Sequence, residues 1–324
     1  MKDSKVDVGL SPELSLVIPV FNAESTIAAV VAEIRAVFAG REYEIVLVND
    51  GSADGSDEVC RALAAENSTL ITYVQLARNF GEHNAVLAGL SHATGAHAAV
   101  LDDDGQHDPV DVARMLDALR AGGHDVVFGR YRAKHHGWLQ NLGSWFNDRM
   151  ANRMLGKPRE LYLSSFKVMT RFVIDEVIRY RGPYPYIDGL IYRTTRRLAQ
   201  IDVSHRERLH GRTNYDLHRL VRLWLNMFMN FSILPLRVAS VLGLGVASSS
   251  VLLLLLIVID KLWVNPEVPF GVPTILVTIV LFAGLQLLIL GTIGEYLGRL
   301  YLDVTGTPQF IVRHAERRRE PTGG

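Results

Sequence analysis

An apolar run that ends in acids occupies residues 98–109, Ala98-Ala99-Val100-Leu101-Asp102-Asp103-Asp104-Gly105-Gln106-His107-Asp108-Pro109. Successive strand side chains point to opposite faces, so Asp102 and Asp104 are expected to share a side while Asp103 points away. With the amide oxygen of Gln106 close behind, the two carboxylates predict a site for Mg²⁺ or Mn²⁺, which prefer oxygen ligands. The alternative is an acidic surface turn before the helix that begins at Pro109, and Asp108 is expected to cap that helix.

Strand and helix signals alternate through residues 14–130, which predicts an α/β fold with a mostly parallel sheet. The expected strands are Leu14–Pro19, Tyr43–Val48, Ile71–Gln75, Ala98–Leu101 and Asp125–Phe128. The expected helices are Thr26–Phe38, Ser56–Glu66, Glu82–Ala93 and Pro109–Ala121, followed in a mixed region by Gln140–Leu155 and Arg171–Arg179. Ligands of open α/β sheets bind beyond the carboxyl ends of the strands, so the loops after the first four strands form the candidate site.

Composition and motifs exclude several classes of protein. The net charge is zero, but residues 1–125 carry 8 Lys and Arg against 20 Asp and Glu, whereas residues 126–324 carry 26 against 14. The acidic half suits a metal ion, and the basic half suits a phosphate-bearing substrate and a membrane surface. The sequence has no basic patch interleaved with aromatic residues, so we expect no nucleic-acid partner. The single cysteine, Cys60, excludes an internal disulfide. The sequence lacks the glycine-rich loops of dinucleotide and ATP sites.

Two charge-free segments, residues 238–259 and 272–294, are each long enough to cross a bilayer. Buried helices of a soluble protein are the alternative. Basic residues lie outside the pair, at Arg219, Arg222 and Arg237 before it and at Arg299 and residues 313–319 after it. Because Lys and Arg mark the cytoplasmic side, we expect a transmembrane hairpin in the inner membrane, with both termini and the N-terminal domain in the cytoplasm.

The segment before the hairpin predicts an amphipathic helix. Apolar residues recur at helical spacing through residues 215–231, with basic residues to the side, which indicates a helix in the membrane interface. An ordinary core helix is the alternative. The expected organisation is therefore a tail (1–13), a cytoplasmic catalytic domain (14–213), the interfacial helix (214–234), the hairpin (235–300) and a cytoplasmic tail (301–324).

Four loop motifs together resemble glycosyltransferase family 2, and more narrowly its polyprenyl-phosphate glycosyltransferases. They are Val17-Ile18-Pro19-Val20-Phe21-Asn22, Val48-Asn49-Asp50-Gly51-Ser52-Ala53-Asp54-Gly55, Arg78-Asn79-Phe80-Gly81-Glu82-His83-Asn84-Ala85 and Asp102-Asp103-Asp104-Gly105-Gln106-His107. The resemblance covers about residues 14–312. It implies a GT-A fold, the Rossmann-like fold of nucleotide-diphospho-sugar transferases, followed by a C-terminal two-helix transmembrane hairpin.

The resemblance also implies site residues. Uracil and ribose of a nucleotide-diphosphate sugar would be cradled by Pro19, Phe21, Glu24 and Asp50, and the donor site would further include Arg78, Asp102, Asp103 and Arg130. The metal on the diphosphate would be held by Asp102, Asp104 and Gln106. Arg130, Arg208 and Arg212 would bind the acceptor phosphate, and catalysis would depend on Asp102, Asp104 and Arg208.

The sequence departs from the family at three positions. The family's lysine in the stretch Arg208-Leu209-His210-Gly211-Arg212-Thr213-Asn214-Tyr215 is replaced by Asn214, and Arg212 could supply the lost charge. Relatives often have aspartate where Leu161 stands and arginine where Lys167 stands. These departures bear on the acceptor side of the site.

The resemblance implies an inverting displacement that transfers the sugar of a UDP-sugar to undecaprenyl (polyprenyl) phosphate, for cell-envelope or lipopolysaccharide glycan modification. The acceptor phosphate is already an oxyanion, so a strong general base is not required. A processive polysaccharide synthase is disfavoured because Gln-x-x-Arg-Trp is missing from the sequence. A different lipid or protein acceptor, and an inactive nucleotide-sugar binding protein, remain alternatives. Relatives suggest a homo-oligomer.

Overall fold

The computed structural model describes residues 12–131, 164–182, 185–204, 271–304 and 308–318, with Gly245, Leu252, Ile259, Trp263 and Gly306 as isolated positions. In chain order the elements are β1 (Leu14–Val20), α1 (Ile27–Val37), β2 (Tyr43–Asn49), α2 (Ser56–Glu66), β3 (Ile71–Leu76), α3 (Glu82–His92), β4 (His97–Val100), α4 (Pro109–Gly122), β5 (Val126–Tyr131), β6 (Lys167–Thr170), α5 (Arg171–Ile178), α6 (Ile187–Thr194), β7 (Leu198–Val203), α7 (Val272–Val304) and β8 (Val312–Glu316).

The strands form one sheet in the order β7-β5-β6-β4-β1-β2-β3-β8. The central strands β4, β1, β2 and β3 are parallel, as is the β5–β7 pair. Strand β6 is antiparallel to both β4 and β5, and β8 is antiparallel to β3. The expectation of an α/β fold with a mostly parallel sheet is confirmed, and the parallel centre brings four carboxyl-terminal loops to one edge.

Helices cover both faces of the sheet. On one face α1, α2 and α4 bury apolar side chains at helical spacing, such as Ile27, Val30 and Ile34 of α1, against β1 and its neighbours. On the other face α3 packs against β1 and β2 and contacts α5 and α6. The contact is close because α3 carries Gly89, where an added Cβ would lie 2.3 Å from a methyl carbon of Val17. The core therefore lies on both sides of the strands that carry the candidate site.

Most of the expected elements are present within a residue or two at each end. Helix α2 has the expected bounds, and α4 begins at Pro109 with Asp108 as N-cap, whose carboxylate accepts a hydrogen bond from the N–H of Val110 at 2.9 Å. Strand β4 ends at Val100, however, so the three aspartates lie in a turn rather than on a strand. Strands β6, β7 and β8 and helix α6 were not predicted from the sequence.

The chain after α7 returns to the sheet. Strand β8 pairs with β3, and just beyond it the Arg318 guanidinium reaches Glu44 on β2 at 2.8 Å. Glu44 is fully buried and also accepts hydrogen bonds from the Ser15 hydroxyl and from the N–H and hydroxyl of Thr94. Residues 301–324 were expected to be a tail, and the structure places 312–316 of them as the edge strand of the sheet.

The chain divides into two compact units, Met1–Tyr215 with Thr307–Gly324, and Asp216–Gly306. Within the described ranges no helix is both long and apolar enough to cross a membrane. The second expected span falls within α7, whereas the interfacial helix 214–234 and almost all of the first span, 238–259, lie outside the described residues. The expected helix Gln140–Leu155 and the positions Leu161, Arg208, Arg212 and Asn214 also lie outside them.

Candidate active site at the carboxyl edge of the sheet

A cavity of about 450 Å³ opens where the first four strands end. Its lining residues come from the end of β1, from the loops after β1, β2, β3 and β4, from the start of α3 and from the residue two positions before β6. They are Pro19, Val20, Phe21, Asp50, Asn79, Gly81, Glu82, Ala85, Asp102, Asp103, Asp104 and Ser165. The predicted meeting of these loops at one edge is confirmed.

Asp50 fixes the loop after β3. One carboxylate oxygen accepts the N–H of Phe80 at 2.7 Å, and the other accepts the N–H of Gly81 at 2.8 Å. The residue is only 3% exposed, and this burial raises the pKa of its carboxyl, an effect that the two N–H groups oppose. Asp50 lines the cavity, and its contacts show that it also positions the neighbouring loop after β3.

The loops after β1 and β2 are hydrogen-bonded to each other. The N–H of Asn22 donates to the Ser52 hydroxyl at 3.1 Å, and the Asn22 side-chain oxygen accepts the N–H of Ala53 at 2.9 Å. Asn22 adopts a positive φ of 55°, a conformation that asparagine tolerates better than most residues. These contacts hold the two loops together, which reduces the ordering required on ligand binding.

The acidic turn is tied to the loop after β1. An Asp103 carboxylate oxygen accepts the N–H of Phe21 at 2.8 Å, and the Asp103 carbonyl accepts the Thr26 hydroxyl at 2.7 Å. Burial, and then the neighbouring charges of Asp102 and Asp104, raise the pKa of Asp103 to about 7. Strand β4 has ended before the three acids, and all three line the same cavity, so strand alternation does not set the direction of Asp103.

The remaining metal candidates lie in the same turn. An Asp104 carboxylate oxygen accepts the N–H of Gln106 at 3.0 Å, and Gly105 between them has a φ of +77°, which favours glycine. Across the described ranges, no three His, Cys, Asp or Glu side chains converge as a ready-made metal cluster. Two carboxylates in an acid-lined cavity nevertheless fit Mg²⁺ or Mn²⁺, since such ions commonly complete their coordination with water and substrate phosphates.

Three predicted donor-site residues lie elsewhere. The Glu24 carboxylate accepts the N–H of Gly55 at 3.1 Å, at the start of α2. The Arg78 guanidinium lies over the Phe80 ring, 4.2 Å from its centroid. Arg130 is exposed and bonds Asp202 of β7 at 2.7 Å. None of the three is among the residues that line the cavity.

The cavity is also lined by Asn79, Glu82 and Ser165, for which no role was predicted. The first two belong to the motif Arg78–Ala85, so the motif carried a signal for them. Ser165 donates a hydrogen bond to an Asp102 oxygen at 3.3 Å. Beside it, the ammonium of the buried Lys167 bonds Asp188 of α6, which explains how β6 tolerates a buried cation.

The family model described as Glycosyl transferase family 2 matches residues 15–178, which contain every described residue of this cavity. The chain belongs to glycosyl transferase family 2. It is therefore a glycosyltransferase, and its cavity lies in the segment that defines the family.

Two curated relatives of this family 2 chain carry the name undecaprenyl-phosphate 4-deoxy-4-formamido-L-arabinose transferase. The protein from Aeromonas hydrophila is 30% identical over 311 residues, covering 94% of each chain. The protein from an Enterobacter species is 31% identical over 309 residues, again covering 94% of each. The similarity thus extends well beyond the segment that the family model matches.

A solved structure has the same fold. Glucosyl-3-phosphoglycerate synthase from Mycobacterium tuberculosis, in complex with Mn²⁺, uridine diphosphate and glucosyl-3-phosphoglycerate, superposes with a TM-score of 0.53. The identity is 18%, and the match covers 68% of this chain and 80% of the other. The likeness supports the GT-A-like α/β architecture.

Proposed function

We propose that this glycosyltransferase transfers a sugar from a nucleotide-diphosphate sugar, a UDP-sugar in our assignment, to undecaprenyl phosphate in a metal-dependent, inverting reaction. The product would be a lipid-phosphate-linked sugar that serves as donor for lipopolysaccharide or cell-envelope glycan modification. The similarity along 94% of the chain to undecaprenyl-phosphate transferases supports the acceptor class.

The observation that carries the proposal is the charge of the cavity. Its lining includes five carboxyl groups, Asp50, Glu82, Asp102, Asp103 and Asp104, and the described lining residues include no lysine or arginine. A diphosphate would be repelled by such a surface. Asp102 and Asp104 would hold a divalent cation, and its positive charge would offset the repulsion between the acidic cavity and the diphosphate.

In the proposed donor site, some residues would contact the metal ion or the nucleotide, and others would hold the surrounding loops in place. Asp102 and Asp104, with Gln106 from the same turn, would hold Mg²⁺ or Mn²⁺. The exposed ring of Phe21, together with Pro19, would contact the base, and Asp50 would hold the adjoining loop in place. Asp103 would keep the acidic turn against the loop after β1 through its bond to the N–H of Phe21.

The proposed reaction is a single displacement at the anomeric carbon. An oxygen of the acceptor phosphate attacks the anomeric carbon as its bond to the nucleotide diphosphate breaks. The configuration at that carbon inverts, and no covalent intermediate with the enzyme forms. A bound Mg²⁺ or Mn²⁺ would supply Lewis-acid stabilisation of the charge that develops on the departing diphosphate. The chain's own contribution is to position both substrates in line. On the basis of the family resemblance, we propose that Arg208, Arg212 and Arg130 bind the acceptor phosphate.

We further propose that the chain acts at the cytoplasmic face of the inner membrane. The charge-free segments 238–259 and 272–294, with basic residues on either side, support a multi-pass hairpin with both termini in the cytoplasm. An isoprenoid acceptor dissolved in the bilayer requires such a location. A homo-oligomer is the proposed assembly.

The test is a reconstitution of the purified full-length protein in detergent. The protein is mixed with undecaprenyl phosphate, Mg²⁺ or Mn²⁺, and a panel of UDP- and GDP-sugars, and the lipid product is identified by its mass. We expect one nucleotide sugar to give a lipid product heavier by a glycosyl group and chelation by EDTA to abolish it. Undiminished product with EDTA would refute the metal role, and transfer only to another acceptor would refute the acceptor.

The metal assignment predicts that Asp104→Asn lowers turnover at least 100-fold with little change in thermal stability. Removing one charged ligand weakens the ion's hold, while the neutral amide keeps the shape of the side chain. Asp108→Asn is the matched control, since asparagine also caps helices well and α4 should be unaffected. Near-wild-type turnover by Asp104→Asn would contradict the assignment.

A further inference from the structure

His107 closes the acidic turn but is not among the residues that line the cavity. It is 4% exposed and lies at the end of the sequence Asp102–His107, immediately before the cap of α4. The positive φ of Gly105 lets the chain turn back, so that the imidazole faces the first acid of the turn. A buried polar ring in this position requires partners.

Both ring nitrogens of His107 face Asp102. The N–H of Asp102 donates to Nδ1 at 3.0 Å, and Nε2 lies 3.4 Å from an Asp102 carboxylate oxygen. Since Nδ1 accepts a hydrogen bond, the neutral ring carries its proton on Nε2, the nitrogen on the carboxylate side. One side chain thus contacts both the backbone and the carboxylate of the same residue.

The orientation of the imidazole is fixed by aromatic neighbours. The Phe166 ring stacks on it with centroids 4.4 Å apart and planes 13° apart, and the Tyr131 ring lies nearly parallel at 6.2 Å. Phe166 is fully buried and precedes β6, while Tyr131 ends β5. The ring is therefore held by a part of the sheet separate from the acidic turn, and it connects that part to Asp102.

We propose that His107 is a positioning residue that sets the backbone and carboxylate of Asp102 in the geometry needed to bind the divalent cation. Ser165, whose hydroxyl also reaches the Asp102 carboxylate at 3.3 Å, contributes to the same restraint. A ligand oriented before the ion arrives binds it more tightly than one that must be ordered on binding. The inference rests on the metal-dependent donor site proposed above.

The test measures Mn²⁺ binding rather than turnover. Free Mn²⁺ is followed by EPR as it is titrated into the purified full-length protein in detergent, alone and with UDP. His107→Phe keeps a ring for stacking but removes both nitrogens, and we expect its Mn²⁺ affinity to fall about 10- to 100-fold. His107→Asn can restore an acceptor for the Asp102 N–H, and His107→Gln can place an amide near the carboxylate, so both should fall between Phe and wild type.

His314→Phe, an exposed position on β8, is the control and should bind Mn²⁺ like the wild type. If His107→Phe does not fold, the Asn and Gln variants decide the question, and equality of folded variants with wild type would overturn the proposal. A failure of the proposed function would give a different result. In that case the wild type would bind no Mn²⁺, or the wild type and Asp104→Asn would bind Mn²⁺ with equal affinity.

Discussion

Asp50 shows how one buried carboxylate can fix a neighbouring loop of the cavity. Each of its oxygens accepts one backbone N–H, from Phe80 and from Gly81. In Asp50→Asn the side-chain NH₂ group would face one of these donors, leaving it without an acceptor. We expect a loss of about 1–3 kcal/mol in the free energy of unfolding and weaker UDP binding.

Urea titration and calorimetric UDP binding would measure the two effects of Asp50→Asn. Asp117→Asn is the matched control, because Asp117 is exposed on α4 and the same chemical change there should alter neither quantity. Equal behaviour of the two variants would show that the loop after β3 does not depend on Asp50.

Gly51, the next residue, has no room for a side chain. Its φ is +66°, and an added Cβ would lie 2.5 Å from the backbone of Arg78 and Asn79. Gly40 has a similar φ of +80° but nothing within 4 Å of an added Cβ. Both Gly→Ala variants should lose about 1 kcal/mol to backbone strain, but only Gly51→Ala should also displace the loop and reduce UDP affinity. Thermal melts and UDP titration of the pair would separate the two effects, and equal UDP affinity would contradict the steric argument.

At the scale of elements, the segment formed by β8 and the two residues after it neutralises a buried charge. Glu44 is fully buried, and the Arg318 guanidinium that bonds it has only 15% of its side chain exposed. Arg318→Ala would leave the Glu44 charge in the interior without its cation, which we expect to cost about 3 kcal/mol in stability. The exposed neighbour Arg317→Ala is the matched control. Urea unfolding of both proteins is the measurement, and equal midpoints would show that the Thr94 and Ser15 hydrogen bonds suffice for Glu44.

The elements that could be predicted differ physically from those that could not. Strands β1 to β3 are apolar runs followed by turn signals, and α4 begins with an Asp-Pro cap, so local sequence indicates their type. Strand β6 has four residues and begins with Lys167, whose burial depends on Asp188 some twenty residues later. Strand β8 reads Val-Arg-His-Ala-Glu, and its mostly exposed pattern gives no local strand signal.

The candidate site divides in the same way. The acids of residues 102–104 and Asp50 were predicted because strand ends of a parallel sheet meet at one edge. Glu82 and Ser165 reach the cavity through the packing of α3 and the crossing of β6, which sequence spacing does not determine. His107 was quoted within the acidic motif, but its contact with Asp102 depends on a turn at Gly105 and on the Phe166 ring.

At the scale of the whole molecule, the reactivity of the single cysteine shows whether the core of the first unit is accessible to reagents. Cys60 is fully buried in the core, and burial together with nearby aspartates raises the pKa of its thiol to about 12. Because the thiolate is the reactive form, the native protein should resist a maleimide at pH 8 and react once unfolded in urea. Ala121→Cys in a Cys60→Ala background, exposed at the end of α4, is the control that should react at once. Rapid labelling of native Cys60 would contradict the compact core.

The position of β8 in the chain also has a consequence for biosynthesis. Residues 312–318 leave the ribosome only after residues 216–306, yet they supply an outer strand and the cation that faces Glu44. While residues 216–306 are being translated, the Glu44 carboxylate therefore has no Arg318 cation to neutralise it. Chaperone dependence of the nascent chain should end only after residues 312–318 have left the ribosome and docked on the sheet.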